Sequence, residues 1–262
     1  MSGLGKRLTV IASVSVAVMT NVAVAHAAGT TYTLEPFDYD DVGATTMNLT
    51  QQQLGGTLCP CVKIPYPADG LHNAQGVAGI AKTPLKAGDT VMGFSLGSQV
   101  IALYLAKNTP PPGVRFVMLG DTPTHNSQMV FLGQGVPANV PDQVILVARQ
   151  YDGWTDYPMV TTSPNFSLSW RNAQMGAAMI HDYVNARLDN SANVMTTAGN
   201  ITAILIPTQH LPLNDWQRLF GPSPTADALD AKQRPLVDSA YSRPGPTAAQ
   251  LAASTSEQAT TL

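Results

Sequence analysis

The chain has 262 residues, 12% of them charged, and its 14 Lys and Arg against 17 Asp and Glu leave a net charge of −3. That length holds one α/β domain with a sizeable core. The lack of a basic excess excludes nucleic acid as a partner, and the low charge with many Ala, Thr and Gly fits an exported protein.

The chain opens on a targeting pattern. Lys6-Arg7 form a charged start, Leu8 to Met19 an apolar run, and Ala25-His26-Ala27 a small-residue cleavage site. An apolar run this short does not comfortably span a bilayer. Residues 1–27 are therefore expected to be a signal peptide, with retention as an anchor the alternative. Losing Lys6 and Arg7 leaves 12 basic against 17 acidic side chains, a charge near −5. Thr31 to Leu34 is a weak first strand, and Thr57 to Tyr66 a second, broken by Pro60 and Pro65 and so near a sheet edge. Cys59 and Cys61 flank Pro60, and a bridge across one residue needs strained geometry, so separate thiols are expected and no metal site is assigned. A short helix is expected from His72 to Ala81, ended before Pro84.

Asp89 to Met92 reads as a short buried strand and Ser98 to Lys107 as a helix, with Gly93-Phe94-Ser95-Leu96-Gly97 between them. This is the G-x-S-x-G pattern of a nucleophile elbow, in which the serine sits on a sharp strand-to-helix turn. After the rigid Thr109 to Gly113 break comes a strand, Val114 to Leu119, completing the parts of a right-handed parallel crossover. A loop (Thr124 to Pro141) precedes the most convincing strand, Gln143 to Gln150, which runs into Tyr151-Asp152-Gly153-Trp154-Thr155-Asp156-Tyr157-Pro158. Trp170 to Leu188 reads as a helix, Ile201 to Pro207 as a strand delivering Thr208 to Leu213, and Asp215 to Phe220 and Ala226 to Ser239 as helices. Residues 244–262 carry no periodicity and are expected to be a disordered tail. The fold expected is an α/β-hydrolase with a mainly parallel central sheet flanked by helices.

A serine hydroxyl needs a base to take its proton, and the base needs an acid to orient it. In α/β-hydrolases these follow the order Ser, Asp or Glu, His. Ser95, Asp152 and His210 give that order, each shortly after an expected strand. Asp156, four residues on, is the alternative acid. His125 is the rival base, and His181, read as lying inside a helix, is taken for a packed or capping side chain. Asp121, after the strand before, is expected to hold a turn or line the pocket. The Leu96 amide is the expected oxyanion donor, and Trp154 and Tyr157 are candidates for a substrate wall.

The elbow, the Arg149 to Pro158 segment, Asn172 to Tyr183, Ile206-Pro207-Thr208-Gln209-His210-Leu211-Pro212-Leu213 and Leu236 through Arg243 together resemble the PE-PPE domain of mycobacteria, over roughly Thr57 to Arg243. The resemblance implies a cutinase-like serine hydrolase of the cell envelope over residues 28–243, without a cofactor; the chain departs from the family pattern in offering a signal where an N-terminal PE or PPE module is usual, as stand-alone exported members do. The resemblance implies that Ser95 is the nucleophile, His210 the base and an aspartate of the Tyr151 to Pro158 segment the acid. It also implies a lipid or glycolipid acyl ester as substrate, with water or a sugar as acceptor and peripheral association with the envelope. The alternative function is a lipid-binding protein that keeps the fold without turnover. The family's first loop supplies part of the oxyanion hole, which places Gly43 as second donor, with Gly55 ranked after it.

Overall fold

Strands covered on both faces read as unbroken apolar runs, and Phe116 to Leu119 and Val144 to Ala148 have that form. In the computed structural model, which describes residues 29–37, 48–120, 136, 140 and 142–254, they lie at the centre of a sheet. Its seven strands are β1 (Thr31–Leu34), β2 (Cys61–Lys63), β3 (Thr90–Phe94), β4 (Arg115–Leu119), β5 (Gln143–Arg149), β6 (Val194–Ala198) and β7 (Ile201–Ile206), in the spatial order β2-β1-β3-β4-β5-β7-β6. Every neighbouring pair is parallel except β6 with β7. The carboxyl ends of β1, β3, β4, β5 and β7 therefore share one edge, where the polar loops that follow them gather. The α/β architecture is the expected one.

Period-two alternation divides the core between the two faces. Val91, Phe116, Met118, Val144 and Leu146 point to one side, where helices α2 (Asn73–Lys82) and α3 (Leu96–Lys107) supply Ile80, Val100 and Ile101. Met92, Phe94, Val117, Leu119, Ile145 and Val147 point to the other, where they meet Tyr183, Leu54 and Leu188. A smaller cluster of Tyr151, Leu211, Val237 and Tyr241 lies against α4 (Phe166–Met179), with α5 (Pro212–Asp215) and α6 (Pro224–Asp238) beside it. A short α1 (Leu49–Gln52) runs into a 3-10 turn at Gln53–Gly56. Among the described residues no helix is long and apolar enough to cross a membrane.

Several expectations change. The second strand shrinks to three edge residues, and Cys59 and Cys61 form a disulfide because their Cα atoms lie 4.5 Å apart, within bridging reach. The helix expected over Trp170 to Leu188 starts earlier and ends at Met179. The β6–β7 hairpin, turning through Gly199-Asn200, was not expected. The tail is not wholly without order, since α7 (Ala248–Ala253) forms behind a capping box between Thr247 and Gln250, and Gln250 Nε2 donates to the Asn193 carbonyl at 3.1 Å. The expected signal peptide, Gly43, Asp121 and His125 fall outside the described residues.

Glu35, just past β1, is buried beside the elbow. Its Oε2 accepts the Thr50 amide at 3.2 Å, fastening α1 to the end of β1, while Oε1 has no partner among the described residues. Burial raises its pKa above the ordinary carboxylate value, against the opposing pull of the Thr50 amide and the Lys63 charge. A carboxyl whose folded pKa is raised contributes most below its unfolded pKa, and its ionised form costs stability as pH rises through the folded value. Glu35→Gln is accordingly expected to melt no lower than the parent at pH 7 and to lose any advantage by pH 4. A lower melting temperature for the variant at pH 7 contradicts this.

Candidate active site

Ser95 joins β3 to α3 with φ 52° and ψ −115°, a conformation a non-glycine residue adopts only when its surroundings impose it. The flanking glycines make this possible. A Cβ on Gly93 would lie 2.5 Å from the Gly97 carbonyl carbon, and one on Gly97 would run into the Leu34 carbonyl oxygen. The Ser95 amide donates to the Leu119 carbonyl at 2.8 Å, and the Ser95 carbonyl accepts the Ser98 amide at 2.9 Å. Leu96 opens the helix, so its N–H has no intrahelical acceptor and is free in direction to serve an anion at the serine.

At the end of β5 the chain turns at Tyr151 (φ 70°) and buries Asp152 completely. Its Oδ1 accepts the Trp154 amide at 3.1 Å, and its Oδ2 accepts the Tyr183 hydroxyl at 2.9 Å. Helix α4 lies directly on this turn because Gly153 and Gly176 lack side chains; a Cβ on either would collide with the backbone carbonyls of Ala173 and Tyr151 respectively. The contact sets the carboxyl end of α4 at the buried carboxylate. The chain leaves the helix at Ile180, and the next residue, His181, brings Nδ1 to 2.7 Å from Asp152 Oδ2.

The imidazole is held beside the elbow. It stacks on Phe94, the residue before Ser95, with ring centroids 5.1 Å apart, and is flanked by Trp154 at 6.3 Å and Tyr183 at 6.2 Å. A Cβ built on Gly120 would lie 2.8 Å from His181 Cε1 and 3.4 Å from the Ser95 nitrogen, so imidazole and elbow share the small space that Gly120 leaves. The carboxylate at Nδ1 fixes the tautomer with its proton there, leaving Nε2 as the basic nitrogen. Nε2 is buried and has no hydrogen-bond partner among the described residues.

The expected pairing of Asp152 or Asp156 with His210 is not formed. His210 Nδ1 lies 3.3 Å from Asp230 Oδ2 and 3.8 Å from Asp227. Asp230 is also bound by Arg218 at 2.7 Å and by Asn214 at 2.8 Å. Although burial alone would raise the Asp230 pKa, His210, Asn214 and Arg218 hold it below the ordinary value. Ligand atoms of His210, Asp227 and Asp230 lie within 4.8 Å of one another, but the Arg218 guanidinium lies 2.7 Å from both carboxylates and supplies the positive charge a metal would bring.

Among the described residues Asp156 pairs with no imidazole. It is buried, accepts the Tyr151 amide at 2.8 Å, and binds Arg243 Nε at 2.6 Å and Nη2 at 2.5 Å. Trp154 is half-exposed next to His181, its Nε1 donating to the Ala177 carbonyl at 3.0 Å. Tyr157 packs edge-on against Trp170 at 4.7 Å, making it part of the scaffold rather than of the rim around His181. The Gly55 amide is consumed by the Val184 carbonyl at 2.5 Å, which removes it as an oxyanion donor.

The sequence carries the helix past His181 because no glycine or proline marks the end of α4, which hides the pairing with Asp152. Chain order would have allowed it, since Ser95, Asp152 and His181 also run Ser, Asp, His.

The two aspartates are expected to separate in experiment. Asp156→Asn leaves the buried Arg243 charge short of its counter-ion, a loss of about 3–5 kcal/mol that lowers the melting temperature. Asp152→Asn is expected to fold and to slow fluorophosphonate labelling of Ser95 on the order of 10,000-fold. Retained melting with lost labelling in Asp156→Asn would make Asp156 the acid instead.

A sequence profile of the PE-PPE domain matches residues 70–242, a stretch that contains Ser95, Asp152 and His181. The uncharacterized PPE family protein PPE63 of Mycobacterium tuberculosis is 32% identical over 201 residues, covering 68% of this chain and 40% of that protein. Esterase PE16 of the same organism is 28% identical over 181 residues, covering 59% of this chain and 34% of that protein. The chain thus spans well under half the length of these curated relatives. No solved structure matches.

Proposed function

This chain belongs to the PE-PPE domain family, and from that membership we propose that it is an exported serine esterase acting on a lipid or glycolipid acyl ester through an acyl-enzyme on Ser95. The observation that carries the reading is the pair of buried Asp152 and part-buried His181 seated beside the elbow, with the distal imidazole nitrogen unpartnered among the described residues. The esterase name of the relative PE16 supports it from a second direction.

In this reading His181 Nε2 takes the Ser95 proton as Oγ attacks the ester carbonyl. Asp152, out of water and close to Nδ1, stabilises the imidazolium that results. The Leu96 amide meets the oxyanion. His181 then returns the proton to the leaving alcohol, and the same base activates the acceptor that releases the acyl group. Water as acceptor gives an acid, and a sugar hydroxyl gives a transferred ester, with the same residues in the same roles. The half-exposed Trp154, whose ring lies beside that of His181, and the exposed Met179, two residues before it in sequence, offer apolar surface to an acyl chain.

Turnover of a p-nitrophenyl ester tests this assignment. Ser95→Ala and His181→Ala are expected to lose at least about 1,000-fold in kcat, while His210→Ala stays within about tenfold of the parent. Loss of turnover in His210→Ala with retention in His181→Ala would overturn it.

A further inference from the structure

Tyr183 belongs to the sheet-face cluster of Met92, Phe94, Val117 and Ile145 and is completely buried. For packing alone a phenylalanine would serve there, and a phenol buried among apolar side chains needs a partner for its hydroxyl. The hydroxyl has three. The Arg149 amide donates to it at 3.1 Å, the Thr155 side chain hydrogen-bonds it, and it lies 2.9 Å from Asp152 Oδ2. A carboxylate only accepts, whereas the Arg149 N–H and the Thr155 hydroxyl can donate, so the single phenol proton is directed to Asp152.

The oxygen that receives it is the one that holds His181 Nδ1, while Oδ1 takes the Trp154 amide. The phenol therefore fixes the rotation of the carboxylate about its Cβ–Cγ bond and aims Oδ2 at the imidazole. Its ring also touches both neighbours of the site, edge-on to Phe94 at 5.9 Å and to His181 at 6.2 Å. The backbone of Tyr183 is pinned in turn: its amide donates to Gln53 Oε1 at 2.8 Å and its carbonyl accepts the Leu54 amide at 2.9 Å.

We propose that Tyr183 is a positioning residue of the hydrolytic site, its hydroxyl holding Asp152 in the orientation that keeps His181 Nε2 toward Ser95. This rests on the Ser95–His181–Asp152 reading above. Burial and the adjacent Asp152 charge push the phenol pKa well above its ordinary value, so it stays a neutral donor wherever the enzyme works.

The test is Tyr183→Phe, assayed for kcat and KM on a p-nitrophenyl ester and for the rate of fluorophosphonate labelling in both the parent and the Asp152→Asn background. We expect kcat to fall about tenfold with KM unchanged, and no further loss in labelling rate when the substitution is added to Asp152→Asn. Parent-like kcat, or the same proportional loss in both backgrounds, overturns the proposal. Should Tyr183→Phe fail to fold, 3-fluorotyrosine placed at 183 keeps the ring and hydroxyl while changing phenol acidity. A shift in kcat of about twofold or more then supports the role, and an unchanged kcat removes it. Parent-like labelling in Asp152→Asn alone defeats the underlying reading, whereas its loss together with a parent-like Tyr183→Phe defeats only the role of Tyr183.

Discussion

A carboxylate carried fully out of water must be met by donors, and Asp152 is met by three. They come from the turn after β5, from the residue that follows the end of α4, and from a tyrosine in the core of the sheet face. Satisfying this one group therefore ties the loop, the helix and the sheet together. The backbone contact at Gly153 and Gly176 is the steric condition for it, since any side chain there would lift α4 off the turn and carry His181 away from the carboxylate.

The neighbouring Asp156 shows how the same residue type serves a different end four positions on. Its partner is Arg243, itself buried, lying over the rings of Tyr151 and Tyr241 at 5.7 and 4.4 Å. Burial would lower the arginine pKa, but the Asp156 charge more than offsets this and raises it, while burial raises the Asp156 pKa against the pull of Arg243. The pair anchors the chain beyond α6 against the turn that presents Asp152. One aspartate offers its charge to an imidazole, and the other makes the turn rigid enough for that offer to be geometrically exact. His210, with Asp230 and Arg218, does comparable structural work between α5 and α6.

The central strands β3, β4, β5 and β7 were legible in the sequence because they are largely apolar on both faces and the breaks between them carry proline and glycine, whereas the exposed β6 was not. Gly93 to Gly97 was legible for a related reason: close backbone approach at the elbow tolerates only glycine. The base was not. Residues 170–188 give no punctuation at Met179, and what ends the helix is tertiary, the capture of His181 by Asp152 and of the Tyr183 backbone by Gln53 and Leu54. Contacts between residues so far apart in sequence leave no local pattern. The same holds for the two aspartates, between which the sequence only leans to Asp152 and which are separated by Arg243, 87 residues away from Asp156.

The central claim is that His181, and not His210, faces the serine. The most direct measurement is a crystal structure of the protein after reaction with an organophosphate ester. The account predicts phosphorus on Ser95 Oγ, His181 Nε2 within about 3 Å of the adduct oxygen, and His210 still on Asp230. A modified serine facing the His210 ring, with His181 turned away, would contradict it.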